Sequence, residues 1–347
     1  LKASQPRQLL AELLSTIQLE ALDKTGDLNI GVSLPGLGSF RLSAFKQRGS
    51  VAAVLRCIPS EIPSLDSLHL PDVLASLAME KRGLVLMVGA TGTGKSTTLA
   101  SMVEKRNQQL TGHILTIEDP IEFLFSHKKS VVNQREVGLD TESLHTGLRN
   151  AMRQAPDCVM IGEIRDRETM TAAVSYALSG HLVLSTLHAN NSYHAMGRIL
   201  SFYPPEARPV LMADLAAGLR AVISQRLVRS TAGGRIPAVE VMLNTQLVSE
   251  LIEKGDFIGV RSAMEKSLSE GSQTFEKDLA RLITQGKITR AEGLAFADSP
   301  TNLMWRLEND VAPATRLVGK KKDEDAGASF TEITLDVRPE ERSRPGR

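Results

Sequence analysis

Two cysteines, few aromatics, almost no net charge and no long apolar run mark this sequence first by what it lacks. Cys57 and Cys158 stand far apart with no second pair, so neither a zinc site nor a disulfide framework is indicated. Reduced thiols in a cytoplasmic setting are the expectation. Aromatic residues make up 4% of the chain, with one Trp and three Tyr, too few for a platform on which single-stranded bases would stack. The 41 Lys and Arg balance 40 Asp and Glu, leaving a formal charge of +1 and no global field toward nucleic acid or an anionic membrane. The longest apolar runs, such as 83–90, fall far short of the ~20 residues of a membrane span. No signal-peptide pattern precedes them. The chain opens on Leu1 rather than Met, so the true N-terminus is expected upstream and any domain count is a minimum.

What is present suits a soluble α/β protein. At 347 residues the chain has room for two domains of ~100–200 residues each. A helix is expected at 6–22, then strands at 28–34, 40–45 and 51–58, separated by Pro35-Gly36-Leu37-Gly38 and Arg48-Gly49-Ser50. This gives a small α+β domain over 1–58. Pro59 to Ser64, with two prolines and no helical periodicity, makes 59–71 the linker. From Asp72 the rhythm becomes strand, turn, helix, the signature of a parallel sheet covered by helices. Its strands are expected at 84–88, 114–117, 159–161 and 182–186, each nearly all apolar, and its helices at 95–109, 141–153, 167–179 and 206–222. A strand at 237–243 precedes a helical appendix at 245–254, 256–269, 274–285 and 289–297. This second unit runs over 72–317. The charged tail 318–347 is expected to be mostly disordered, apart from an alternating stretch at 330–337 suited to strand addition on a sheet edge.

Gly89-Ala90-Thr91-Gly92-Thr93-Gly94-Lys95-Ser96 follows an apolar strand and opens a helix, the context that makes a P-loop. The glycines let backbone N–H groups turn inward around phosphates, and the helix N-terminus adds partial positive charge. Lys95 is expected to reach the β/γ-phosphates of ATP, Ser96 to offer its hydroxyl to Mg²⁺, and Thr91, Thr93 and Thr97 to complete the phosphate site. Three polar clusters end the neighbouring strands, at the sheet edge where open α/β sheets bind ligands. They are Glu118-Asp119-Pro120-Ile121-Glu122, Gly162-Glu163-Ile164-Arg165-Asp166 and Leu187-His188. Acidic groups there orient water or hold Mg²⁺, which assigns Glu163 as a second metal-side group. Either Glu163 or Glu118 could serve as general base from spacing alone, with Glu163 favoured. A straight strand between His181 and His188 would span ~20 Å. His188 is therefore taken as the γ-phosphate sensor, and His181 as equally suited to a structural or subunit contact.

At this point the chain resembles a known family. The run 114–123, ILTIEDPIEF, resembles the Asp box of the secretion ATPases, and 151–157 leading into 161–166 is similar to their Walker B region. The run 180–188, GHLVLSTLH, resembles their His box. With the P-loop, these motifs in order match the PilT/PilB/GspE superfamily over roughly 27–310. The absence of a tetracysteine insertion disfavours the extension branch. Length and order resemble the PilT/PilU-type retraction branch, and the 271–276 run with the acidic tail favours its PilU type. The resemblance implies a PAS-like N-terminal domain, a RecA-like ATPase domain and a homohexameric ring. It also implies arginines that reach the nucleotide, Arg41 and Arg56 from the first domain and Arg229 from the second. A PilT-like retraction ATPase and an inner-membrane pilus platform protein are the implied partners, placing the chain at the cytoplasmic side of the pilus base. Gly162 stands where other P-loop families carry an aspartate, which leaves Glu163 as the acid there. Two other readings compete: a ring subunit that mainly regulates a partner motor, and a nucleic-acid translocase. The intact Lys95, Ser96, Glu118, Glu163 and His188 set opposes the first, and the lack of a basic aromatic groove opposes the second.

Overall fold

The computed structural model describes residues 5–34, 36–59, 61–266 and 269–309. The whole of the expected tail, 318–347, with its alternating stretch 330–337, lies outside them. In place of one helix over 6–22 there are two, α1 (Gln5–Leu13) and α2 (Thr16–Thr25). Ser15 is the reason. Its hydroxyl accepts from the Gln18 N–H at 3.3 Å while its own N–H donates to the Gln18 side chain at 2.9 Å, a capping box that starts a new helix. Gly26, at φ 83°, ends α2 and leads into an antiparallel meander of β1 (Asp27–Leu34), β2 (Gly38–Gln47) and β3 (Ser50–Ile58). Arg48 and Gly49 both take positive φ, 45° and 73°, the two-residue turn whose twist suits a hairpin. Alternation along β2 turns Leu42 and Ala44 inward, where Leu10, Leu14, Leu22 and Val51 complete a small core.

The remaining strands form one sheet. They are β4 (Gly83–Val88), β5 (Gly112–Glu118), β6 (Ser130–Glu136), β7 (Cys158–Ile161), β8 (Leu182–Leu187), β9 (Leu219–Arg229) and β10 (Arg235–Leu243). Their order is β10-β9-β4-β8-β7-β5-β6, parallel throughout except for the antiparallel β9–β10 pair. Every residue of β4, β7 and β8 is buried, as strands covered on both faces require. Side chains of β4 alternate between two cores. Val85 and Met87 face α3 (Val73–Ala78) and α4 (Lys95–Gln109), together with Leu65 and Leu70 from the expected linker. Leu84, Leu86 and Val88 face α5 (Leu144–Ala151), α6 (Arg167–Leu178), α7 (Ser192–Ser201), α8 (Arg208–Gly218), α9 (Gln246–Lys254) and α10 (Phe257–Lys266). A third cluster joins Val228 and Ala238 of the β9–β10 pair to α11 (Phe275–Thr284), α12 (Arg290–Phe296) and α13 (Pro300–Asn309).

Two strands, β6 and β9, were not expected. The helix foreseen over 206–222 stops at Gly218, where a Cβ would lie 3.3 Å from Leu178, and Leu219 turns extended at ψ 142°. Leu211, Leu215, Leu219 and Val222 are all buried and keep a helix-like spacing, which hides the start of a strand buried on both faces. At the sheet edge, β6 mixes exposed Val131 with buried Val132 and polar Asn133 and Gln134, so its apolar signal is weak.

Candidate functional site

The eight-residue loop after β4 depends on glycine at two close approaches. A Cβ at Gly89 (φ 153°) would meet the Gln225 carbonyl oxygen and Thr93 Oγ1, each at 2.6 Å, and one at Gly94 (φ 86°) would lie 2.8 Å from Gln225 Nε2. Gln225, buried on β9, explains both. Its Nε2 donates to the Thr93 carbonyl at 2.8 Å, and its Oε1 accepts from Thr98 Oγ1 at 2.8 Å, pinning the loop to the adjacent strand. Thr93 Oγ1 donates to the Ala90 carbonyl at 2.9 Å, while Thr91 and Gly92 are exposed at the tip. Lys95 is buried, and its ammonium donates to the Gly89 and Ala90 carbonyls at 2.9 Å each. Burial lowers its pKa, against the opposing pull of Glu163 and Glu122. Ser96 and Thr97 are half-buried in the first turn of α4, where the amide dipoles favour an anion.

The carboxylates stand at the same edge of the sheet, with different surroundings. Glu118, at the end of β5, is buried and accepts from Thr116 Oγ1 at 2.7 Å, Gln134 Nε2 at 3.2 Å and the Glu122 N–H at 3.4 Å. Burial pushes its pKa up to about 7, in spite of these bonds. Glu163, beyond β7, keeps a side-chain exposure of 21% and has both oxygens engaged. Oε2 accepts from Arg165 Nε at 2.8 Å, and Oε1 lies 3.2 Å from His188 Nε2. Arg165 also donates to Asp119 Oδ2 at 3.4 Å. Glycine at 162 has a steric cause, since a Cβ there would press on the Glu118 Cα at 3.3 Å. The strand ends are laced together by Gly162 N–H to Ile117 O at 2.9 Å and Thr186 Oγ1 to Gly162 O at 2.6 Å. Asp166 caps α6, accepting from the Thr169 N–H at 2.8 Å. His181 lies at the other end of β8, edge-on to Tyr176 with its Nδ1 3.2 Å from the Tyr176 carbonyl.

None of the three expected arginines lines the cleft beside the loop within one chain. Arg41 and Arg56 are directly opposed on β2 and β3, so two cations share one face of the small sheet. Arg229 is exposed at the end of β9, with its backbone N–H bonded to Glu292 Oε1 at 2.7 Å. The structure puts Arg226 beside the loop instead. A cleft of about 460 Å³ is lined by Gly92, Thr93, His194, Gln225, Arg226 and Arg261, among others. Arg226 belongs to the same run as Arg229, and its place would have been legible had 219–229 been read as a strand. Among the described residues no group of three or more His, Cys, Asp or Glu is placed to hold a metal, and no helix is long and apolar enough to cross a membrane.

Comparison with known proteins gives this geometry a family context. The family described as "Type II/IV secretion system protein" matches residues 27–292. The chain is 44% identical over 339 residues to the type IV pilus ATPase PilU of Pseudomonas aeruginosa, covering 97% of this chain and 86% of PilU. It is 37% identical over 302 residues to the pilus retraction ATPase PilT of the same organism, covering 87% of this chain and 88% of PilT. Among solved structures it is similar to the pilus retraction motor PilT with bound ADP, at a TM-score of 0.82 and 40% identity over 86% of this chain and 85% of that one. The ATPase DotB of Legionella pneumophila aligns at a TM-score of 0.75 and 29% identity, covering 85% of this chain and 84% of DotB.

Proposed function

The chain belongs to the type II/IV secretion system protein family, as a P-loop ATPase of the PilT/PilU kind, and from that premise we propose that it powers type IV pilus retraction as one subunit of a homohexamer. The observation that carries this reading is the juxtaposition of a complete P-loop with the Glu163–His188 pair at one sheet edge. In the proposed reaction Lys95 moves from the loop carbonyls to the β/γ-phosphates of ATP, and the amides of 89–96 and the first turn of α4 surround them. Glu163 orients the attacking water and takes its proton, with Arg165 and His188 holding the carboxylate in place. His188, beside Glu163, then senses whether a γ-phosphate is present. Ser96 and Glu163 would hold Mg²⁺, a hydroxyl and a carboxylate being the donor set this ion accepts when phosphates supply the rest. Bound there, it neutralises charge on the phosphate oxygens.

Assembly follows from the arginines. Arg41 and Arg56 face one another as like charges, a destabilising cross-strand pair, and an anion between them would relieve it. A neighbouring subunit's nucleotide is the proposed anion, which makes the ring the active unit. The proposed setting is the cytoplasmic face of the inner membrane, with a pilus platform protein and a PilT-like ATPase as partners.

Glu163→Gln should retain ATP binding and lose ~10²–10⁴ in turnover, whereas Lys95→Ala should lose binding. Turnover of Glu163→Gln at the unmodified rate would transfer the base role to Glu118. Turnover that stays absent at every protein concentration until a PilT-like ATPase is added would favour the regulatory subunit.

A further inference from the structure

A short turn links His188 to the start of α7, and groups from the C-terminal helices fasten it. Asn191 caps α7, its Oδ1 accepting from the His194 N–H at 3.0 Å, and uses its Nδ2 to donate to Asp298 Oδ2 at 2.9 Å. Asp298 Oδ1 accepts from Arg226 Nη2, which also donates to the Asn190 carbonyl at 3.3 Å. Arg226 Nη1 donates to the Phe296 carbonyl, and the guanidinium lies 3.9 Å over the ring of fully buried Phe275. The Asp298 turn is itself tied to α11, because the Ser299 N–H donates to Glu276 Oε1 at 2.7 Å. Arg226 and Asp298 are 18% and 22% exposed, so their bond is largely shielded from solvent.

We infer that Arg226 and Asp298 are positioning residues for His188, and that this joint lets α11–α13 respond to the nucleotide. The inference rests on the reading of the chain as an ATPase with His188 at the γ-phosphate. Each group in the joint has a fixed hydrogen-bond role: Asn191 donates to one neighbour and accepts from another, while Asp298 accepts twice. A displaced His188–Asn191 turn cannot keep both the helix cap and the Asp298 bond, so the joint is either made or broken. Because Phe275 and Phe296 belong to the packed α11–α13 cluster, a broken joint frees those helices from the turn. A retained joint holds His188 against Glu163.

A reciprocal exchange tests the geometry. In Asp298→Asn the single amide oxygen cannot accept from both Asn191 and Arg226, so a donor faces a donor on one side, and in Asn191→Asp two carboxylates face each other. In the double exchange the amide placed at position 298 donates to the carboxylate placed at position 191 and still accepts from Arg226, and that carboxylate still caps α7. Each single variant should lower kcat roughly tenfold or more, with KM for ATP within about twofold, and the double exchange should recover most of the loss. On a His188→Ala background the single changes should cost less than about twofold more, since the residue they position is gone. Thermal unfolding and ATP binding, run in parallel, separate misfolded variants from misplaced ones. Full additivity with His188→Ala, a raised KM at unchanged kcat, or failed recovery in a stably folded double exchange would overturn the inference. Absence of turnover in the unmodified chain would instead overturn the reading as an ATPase.

Discussion

Glu118→Gln separates the electrostatic cost of a buried carboxylate from its hydrogen bonds. Burial raises the Glu118 pKa from an ordinary 4.5 to about 7. Below pH 4.5 the carboxyl is neutral in both folded and unfolded chains, and burial carries no ionisation cost. As pH rises the unfolded chain releases its proton first, so the folded protein binds more protons and loses stability with increasing pH. The loss is complete above about pH 7 and amounts to roughly 3 kcal/mol at ~1.4 kcal/mol per tenfold displacement. Glutamine removes this term. Its amide oxygen, in the place of Oε1, can accept from Thr116 and Gln134, but its NH₂ group then replaces the acceptor that faces the Glu122 N–H, at a cost of ~1 kcal/mol. Glu118→Gln should therefore be slightly less stable than the unmodified chain at about pH 5 and more stable by roughly 2 kcal/mol at about pH 8. Urea midpoints measured from about pH 5 to about pH 8 would show the two curves crossing. Curves that stay parallel would refute the claim that burial, rather than hydrogen bonding, dominates at Glu118.

Gly162→Ala places a methyl group 3.3 Å from the Glu118 Cα and should cost ~1–3 kcal/mol in stability, measured by thermal unfolding, while moving Glu163 and slowing turnover. For the arginines the prediction concerns mixing: Arg41→Ala and Lys95→Ala should each lack turnover alone, yet mixed rings should recover part of it, because each supplies the half that the other lacks. Mixtures as inactive as the separate variants, with ring formation verified by sedimentation, would remove the arginines from a neighbour's site.

The P-loop was legible in the sequence because its causes are local: an apolar strand, glycines at fixed offsets and a helix that starts at Lys95. The same holds for the carboxylates and His188, since a short apolar run ending in polar residues places those residues at a sheet edge before the strand order is known. Packing decided the rest. Ser15 divides a helix that periodicity would run together, and a strand buried on both faces begins at Leu219 under helix-like spacing. Thr98 and Gln225 are 127 residues apart and bond directly, as do Arg226 and Asp298 at a separation of 72. The first pair depends on β9 lying beside β4 and the second on the C-terminal helices packing against β9 and β10, and nothing local encodes either neighbour. Choosing Arg226 over Arg229 beside the cleft, and glycine over aspartate at 162, likewise depends on which atoms approach within about 3–4 Å once the sheet is assembled. Sequence periodicity reports which face of an element is buried, whereas strand order and the partners across the core are set by the packing of distant elements against one another.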